Sequence, residues 1–349
     1  MTIYFYHTQD LKYIYSELER GNFPSHFLYG ATKLKDFEID VMIHQFKRIK
    51  SRLMLGIYVA CRIIKCRKHI DAVYATHYVG LEIIIILRAI GLFDRKIVIW
   101  HHQPIIKSSS IMREIFGKLF YKGIDDMFFF SQKLYEDSLK TSKAKEERMH
   151  VGHWGADLDF YDRVLKTFDI EGRKGFISTG KEKRDMSTLV KAFNATGAPI
   201  DIYLSRMNGT FSYEKLFKDL IVNYNVHVHF IVGLIPNKLS ELVNKAACVV
   251  ICCEETKYTV GLTTVVEALA LGLPIICSRN PQIPIDFEKE KCGISVPYYD
   301  TDGWIRAIKY INTHPAEARE MGHNGRKLAE KLYNDRQCAR DVASVLLSK

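Results

Sequence analysis

The stretch Gly261-Leu-Thr-Thr-Val-Val-Glu267-Ala-Leu-Ala-Leu-Gly272-Leu-Pro274-Ile-Ile276 reads as a turn, a helix, a stop and the opening of a strand. Gly261, followed by Leu262, Thr263 and Thr264, opens the helix; Gly272 ends it, and Pro274 leads into an apolar run. A helix start carries backbone N–H groups without intrahelical acceptors and the positive end of the helix dipole, so it seats phosphate. Glu267 lies one turn further on, where a carboxylate could hold a pair of ribose hydroxyls. The combination points to a nucleotide-diphosphate site on an α/β framework. Glu267 has a second reading. Thr264-Val-Val-Glu267 also fits a capping box, in which the glutamate returns to the cap N–H.

Working outward, short apolar runs alternate with helical stretches on both sides. After Gly175, strands are expected at Phe176–Ser178, Ile200–Leu204, His227–Ile231, Cys248–Cys252 and Ile275–Cys277. Helical stretches fall between them at Ser187–Asn194, Tyr213–Tyr224, Asn237–Ala247 and Thr264–Leu271. The first half has the same rhythm, with strands at Ile3–Tyr6, Glu38–Met42, Ala72–Ala75, Lys96–Trp100 and Met127–Phe130. Helical runs follow at Val79–Ile90 and from Gln132. This alternation predicts two doubly wound, Rossmann-like α/β domains facing a cleft. The polar interval Arg163–Lys174 separates them as a linker. The expected division is 1–165, 166–330 and a C-terminal helix, 331–349, packing back on the first domain. In open parallel sheets ligands bind beyond the carboxyl ends of the strands, so those ends are where functional residues are sought.

The bulk numbers agree. A chain of 349 residues, 47% hydrophobic and 26% charged, suits two ordinary globular domains. The eight cysteines form no CxxC pair and read as buried, reduced thiols rather than zinc ligands. Met1–His7 reads as a first strand and not as a signal peptide. The apolar runs Leu53–Cys61 and Ile83–Leu87 fall short of the roughly 20 residues a spanning helix needs. The formal charge of +10 is uneven. Between Asp40 and Asp71 there is no acidic residue, while Lys47, Arg48, Lys50, Arg52, Arg62, Lys65, Arg67 and Lys68 all fall there. Such a block suits an anionic partner or, more plainly, a solvated helix face.

Two further constellations sit at strand ends. In Ser178-Thr-Gly180-Lys181-Glu-Lys183-Arg184-Asp185, a strand runs into a glycine turn carrying three cations. Lys181, Lys183 and Arg184 could neutralise a diphosphate, Arg in bidentate fashion; the plainer reading is an exposed loop paired with Glu182 and Asp185. Past the strand Lys96–Trp100 come His101 and His102, and past Ala72–Ala75 comes His77. These could donate to a sugar or line an acceptor. Adjacent histidines project differently, which argues against a metal pair.

In their order along the chain, these residues resemble glycosyltransferases of the two-Rossmann-domain (GT-B) architecture, and most closely family four, the retaining nucleotide-sugar enzymes. Glu267-Ala-Leu-Ala-Leu-Gly-Leu-Pro resembles the signature whose glutamate binds the nucleotide ribose. Gly180–Arg184 resembles the basic loop that holds the donor diphosphate, with Arg184 at the family's lysine position and Lys181 at its arginine. Ile97-Val-Ile-Trp-His-His102 is similar to the strand ending in an acceptor-side histidine, with His102 aligning better than His101. Gly123–Leu134 is similar to the family's next strand and helix, and Trp154–Tyr161 resembles the stretch that closes the first domain. Three departures stand out. Thr259 occupies the place of the glutamate that contacts the donor sugar, the basic loop is short, and His7-Thr-Gln-Asp10 replaces a glycine-rich loop.

The resemblance implies a transferase moving a sugar from a nucleotide-diphosphate donor to a glycan or lipid-linked acceptor, with retention, in surface polysaccharide or glycoconjugate synthesis. Catalytic roles fall to His102, Lys181 and Arg184. Donor-binding roles fall to Gly180, Thr259, Gly261, Leu262, Thr263, Thr264 and Glu267, and acceptor-side roles to His77 and His101. No metal and no cofactor beyond the nucleotide sugar is expected, and no nucleic acid. The Lys47–Lys68 block would bring a cytoplasmic protein to the anionic inner face of the plasma membrane. The rivals are a nucleotide-sugar epimerase on the same architecture and a non-catalytic binding protein.

Overall fold

The computed structural model describes residues 1–180 and 182–348. The chain divides into two compact units: Met1–Arg20, Ser25–Trp154 and Asp335–Lys349 form the first, Gly21–Pro24 and Gly155–Asn334 the second. The first unit thus closes at Trp154 and not at residue 165.

The first unit is built from β1 (Thr2–Tyr6), α1 (Leu11–Glu19), β2 (Asp40–Ile43), α2 (Arg52–Cys66), β3 (Ala72–Ala75), α3 (Glu82–Ala89), β4 (Lys96–His101), α4 (Ile111–Lys122), β5 (Asp126–Phe129), α5 (Gln132–Leu139) and β6 (Met149–Val151). The sheet order is β2-β1-β3-β4-β5-β6, all parallel. The central strands are mostly apolar because both faces are covered; Val73, Tyr74, Ile97, Val98 and Trp100 are fully buried. The order reverses between β1 and β3, and the carboxyl ends of β1, β3 and β4 deliver His7, His77 and His102. The last helix, Asp335–Leu347, completes this unit and buries Val342, Ala343 and Leu346.

The second unit holds α6 (Leu158–Leu165), β7 (Phe176–Thr179), α7 (Met186–Thr196), β8 (Ile200–Leu204), the two-residue hairpin strands β9 (Met207–Asn208) and β10 (Phe211–Ser212), and α8 (Tyr213–Asp219). It continues with β11 (Val226–Phe230), α9 (Pro236–Val243), β12 (Cys248–Ile251), α10 (Leu262–Ala270), β13 (Ile275–Ser278), β14 (Gly293–Val296), α11 (Thr301–Thr313) and α12 (Pro315–Lys331); the C-terminal helix Asp335–Leu347 is α13. The order β11-β8-β7-β12-β13-β14 is again all parallel. The chain winds outward from β7 to β11, then returns to β12 on the other side, so β7 and β12 flank the switch point where such sheets bind ligands.

Three expectations are revised. The helix foreseen over Tyr213–Tyr224 stops at Asp219, where Leu220 turns extended. Leu53–Cys61, for which no element was assigned, lies within α2, which Ser51 caps. Of the cysteines, Cys61 is exposed and Cys66 half-exposed, while the other six are buried. Among the described residues, no helix is long and apolar enough to cross a membrane.

Candidate functional site

The second unit's site is assembled where β7 and β12 end. Gly180 follows β7 with φ 117°, and Gly261 begins α10 with φ 92°. Both values lie in the region that only glycine enters without strain. A Cβ on Gly180 would stand 2.2 Å from Arg184 Nη2, and one on Gly261 2.7 Å from Ile251 Cγ2. Gly180 therefore lets the Arg184 guanidinium close on the backbone, and Gly261 lets the start of α10 close on Ile251.

Arg184 is 5% exposed. Its Nε and Nη2 donate to Thr179 O at 3.2 and 3.1 Å, and Nη1 donates to Glu182 O and to Cys253 Sγ, both at 3.2 Å. A guanidinium has five N–H donors, so one remains. Among the described residues no carboxylate lies within ion-pair distance of it. This is a buried cation held by carbonyls and a thiol, with its charge uncompensated. Its backbone is fixed as well, since Arg184 bridges Cys253 and donates its N–H to Tyr213 Oη at 3.1 Å.

α10 starts beside it. Gly261 is the cap and carries no side-chain bond. Leu262 N donates to Thr259 O at 3.3 Å, and Val265 N begins the helical ladder at Gly261 O, 2.9 Å. Among the described residues no acceptor meets the N–H of Thr263 or Thr264. Those two donors, the dipole and Arg184 give this corner a concentration of positive charge and unused N–H groups. Thr264 is buried and Thr263 exposed; Thr259 is half-buried.

Glu267 is 7% exposed and does not reach back along its own helix. Its Oε1 accepts from Ser240 Oγ of α9 at 2.5 Å. Tyr161 of α6, fully buried, bonds to the same serine. The capping box is not formed: α10 begins at Leu262, so Thr264 is already its third residue. Burial pushes the Glu267 carboxyl up to about 7, against the stabilising Ser240 hydroxyl.

The other loop charges are spoken for. Lys183 pairs with Glu254 at 3.1 Å, Glu182 accepts from Tyr258 Oη at 2.8 Å, and Asp185 caps α7 through Thr188 N at 3.0 Å. The pairing with Glu182 and Asp185 considered from the sequence is replaced by these contacts. Lys181 lies outside the described residues.

In the first unit His102 Nε2 lies 2.9 Å from Thr76 O, with Tyr29 Oη at 3.4 Å, and the ring sits 5.4 Å from that of His77. Bonding to a carbonyl makes Nε2 the protonated nitrogen, assigned from the network, and leaves Nδ1 an acceptor. His7 and His77 have the opposite pattern: each accepts at Nδ1, from Gln9 N at 3.0 Å and Val79 N at 2.9 Å. Burial, and then the nearby His102, lowers His7 and His77 to about 4; burial also lowers His102. All three are neutral hydrogen-bonding rings at physiological pH. His101 is not brought to this group. It projects to the other face of β4, among Tyr78, Tyr121 and Phe129, where burial lowers it to about 3. Among the described residues, no group of three or more His, Cys, Asp or Glu side chains is placed to hold a metal ion.

Ser240, Tyr161, Cys253, Tyr213 and His7 were not foreseen as site residues. Each is remote in sequence from the motif it supports and carries no local pattern; only His7, at the end of the first strand, had a position that could have flagged it.

Residues 175–328 match the model of the family described as glycosyl transferases group 1. That match covers somewhat less than half of the chain. An MMP α-(1→4)-mannosyltransferase of Mycolicibacterium hassiacum is 23% identical over 255 residues, which is 70% of this chain and 59% of that protein. The match thus spans under two thirds of the curated relative. Among solved structures, a sucrose-phosphate synthase from Thermosynechococcus elongatus superposes with TM-score 0.71 at 16% identity, over 99% of this chain and 98% of that one. Anabaena HepE in complex with UDP and glucose superposes with TM-score 0.68 at 14% identity, over 99% of each chain. The fold is that of the GT-B glycosyltransferases.

Proposed function

We propose that this protein transfers a sugar from a nucleotide-diphosphate donor to a hydroxyl of a glycan or lipid-linked acceptor, with retention, in surface polysaccharide or glycoconjugate assembly. The observation that carries this reading is Arg184: a buried, uncompensated guanidinium with a spare N–H, beside the open start of α10 and at the switch point of the sheet. The donor diphosphate sits there, and as the glycosidic bond breaks, these fixed donors stabilise the charge on the departing phosphate. Lys181 adds a second cation. Thr259 faces the donor sugar where the family resemblance would place a glutamate. Glu267 accepts the ribose hydroxyls, and Ser240 and Tyr161 hold it in position. HepE, solved with UDP and glucose, makes UDP sugars the first donors to try.

The neutral rings of His7, His77 and His102 offer both donors and acceptors to sugar hydroxyls. With their basicity depressed, they orient hydroxyls; the proton from the attacking hydroxyl goes to the leaving phosphate. Arg184 and the helix start supply the positive charge, so this reading assigns no metal, and transfer measured in excess EDTA should proceed at the rate seen without it. Glu267→Ala should weaken donor binding roughly ten- to a hundredfold, the value of about 1.5–3 kcal/mol for hydrogen bonds to a charged group. Donor affinity equal to wild type would remove Glu267 from the site.

A membrane-proximal setting, on the cytoplasmic face, belongs to the same proposal. Lys47, Arg48, Lys50, Lys65 and Lys68 are exposed, whereas Arg52 and Arg67 are taken by Glu82 and Asp94. Leu53 and Met54 on α2, and Ile111, Met112, Ile115 and Phe116 on α4, are each more than half exposed. Cations beside apolar side chains suit an anionic bilayer, at about 1 kcal/mol per basic residue near the surface. The protein should sediment with anionic vesicles at low salt and less so at high salt; failure to sediment at low salt would end this part of the reading.

A further inference from the structure

The second unit has a cavity of about 410 Å³ at the opposite end of its sheet from Arg184. It is lined by Phe176, the first residue of β7, and by Pro274, just before β13, together with residues of α11 and α12. Its walls are largely apolar, including Leu271, Leu273 and Ile311. Its charged groups are Arg173, Arg319 and Arg326 against a single carboxylate, Glu171, with Asn312 and His323 beside them.

These cations are not equivalent. Arg326 is neutralised by Asp162 and Glu330, each at 2.7 Å. Arg319 is 4.0 Å from Glu171, and both side chains are mostly exposed. Arg173 has no carboxylate partner among the described residues. Its Nε donates to Asn244 O and its Nη2 to Asn244 Oδ1 and Leu271 O, which leaves Nη1 without an acceptor among the described residues. Burial lowers its pKa to about 10, as expected for a desolvated cation lacking a counter-ion.

We infer that this cavity is a second ligand site, for a small organic phosphate whose phosphate meets Arg173 and, at the rim, Arg319, and whose body lies on the apolar walls. The volume is within the range of sites that hold small ligands. The site lies at the amino ends of the strands, so it binds independently of the nucleotide and is suited to an effector. It does not depend on the donor reading.

The test is a thermal-shift titration of the full chain with glucose 6-phosphate, inorganic phosphate and glucose, using wild type, Arg173→Gln, Arg319→Glu and His323→Trp. Arg319 and His323 are exposed, so their variants should fold even if Arg173→Gln does not. Glucose 6-phosphate should stabilise wild type more than inorganic phosphate does, with no response to glucose. The apparent affinity should fall at least tenfold in Arg319→Glu and in His323→Trp, which reverses a rim charge and fills the cavity respectively. Glu267→Ala should leave it unchanged. A response equal in wild type and in both rim variants, one abolished by Glu267→Ala, or none with either phosphate, would overturn the proposal.

Discussion

Glu267 is the residue on which the chemistry and the stability of the second unit meet. Its carboxyl is pushed up from 4.5 to about 7 by burial. The folded state therefore holds the proton more tightly than the unfolded chain, so the stability linked to this group is complete below about pH 4.5 and is lost as pH rises through about 7. Glu267→Gln keeps an acceptor for Ser240 and cannot ionise. It should raise the melting temperature at pH 8, by up to roughly 3 kcal/mol of stability, and change it little at pH 5. Ribose hydroxyls favour the ionised form, so donor affinity in wild type should increase between pH 6 and pH 8 and be flat in the glutamine variant. Calorimetry at the two pH values checks the first expectation and titration calorimetry the second. Arg184 makes a different demand. Lysine keeps the charge but cannot hold Thr179 O, Glu182 O and Cys253 Sγ together, and a buried carbonyl left unmet costs about 1–3 kcal/mol. Arg184→Lys should show that loss in chemical denaturation; an unchanged midpoint would mean the guanidinium bonds are not structural.

At the scale of elements, the deciding unit is the turn from β12 into α10. Gly261→Ala would put a Cβ against Ile251 at a backbone angle that side chains avoid, at a cost of about 1–3 kcal/mol. It should also blunt the response to nucleotides, because α10 would shift from Arg184. Much of this element was legible in the sequence, since glycine, hydroxyls, an apolar helix and a Gly-x-Pro stop are local signals. What Glu267 does was not. A capping box and a carboxylate held elsewhere share one local pattern, and the partner that Glu267 takes in place of the box, Ser240, lies 27 residues away. The pairings of Lys183 and Glu182 are likewise set by Glu254 and Tyr258, from the loop after β12. Strands β6 and β14 were missed because three or four mixed residues carry no clear periodicity. His101 and His102 show the alternation of a strand end: neighbours in sequence, one turns into the aromatic core and the other joins His7 and His77.

For the whole molecule, the βα rhythm was enough to foresee two doubly wound parallel sheets, because alternation and buried apolar strands are repeated many times along the chain. The division at Trp154 was harder to see, since α6 has the same amphipathic pattern whichever unit it joins. The central claim is that the corner of Arg184, Gly261 and Glu267 binds a nucleotide diphosphate. The most direct measurement is a thermal-shift titration of wild type and Glu267→Ala against a panel of nucleoside diphosphates and their sugars, beginning with UDP. A ligand at a hundred times its dissociation constant stabilises by about 2.7 kcal/mol, which is plainly visible. The account predicts a rise with one nucleotide class, weakened ten- to a hundredfold in apparent affinity by Glu267→Ala, whose own fold stays intact. No rise with any nucleotide, or a rise indifferent to Glu267→Ala, would contradict it.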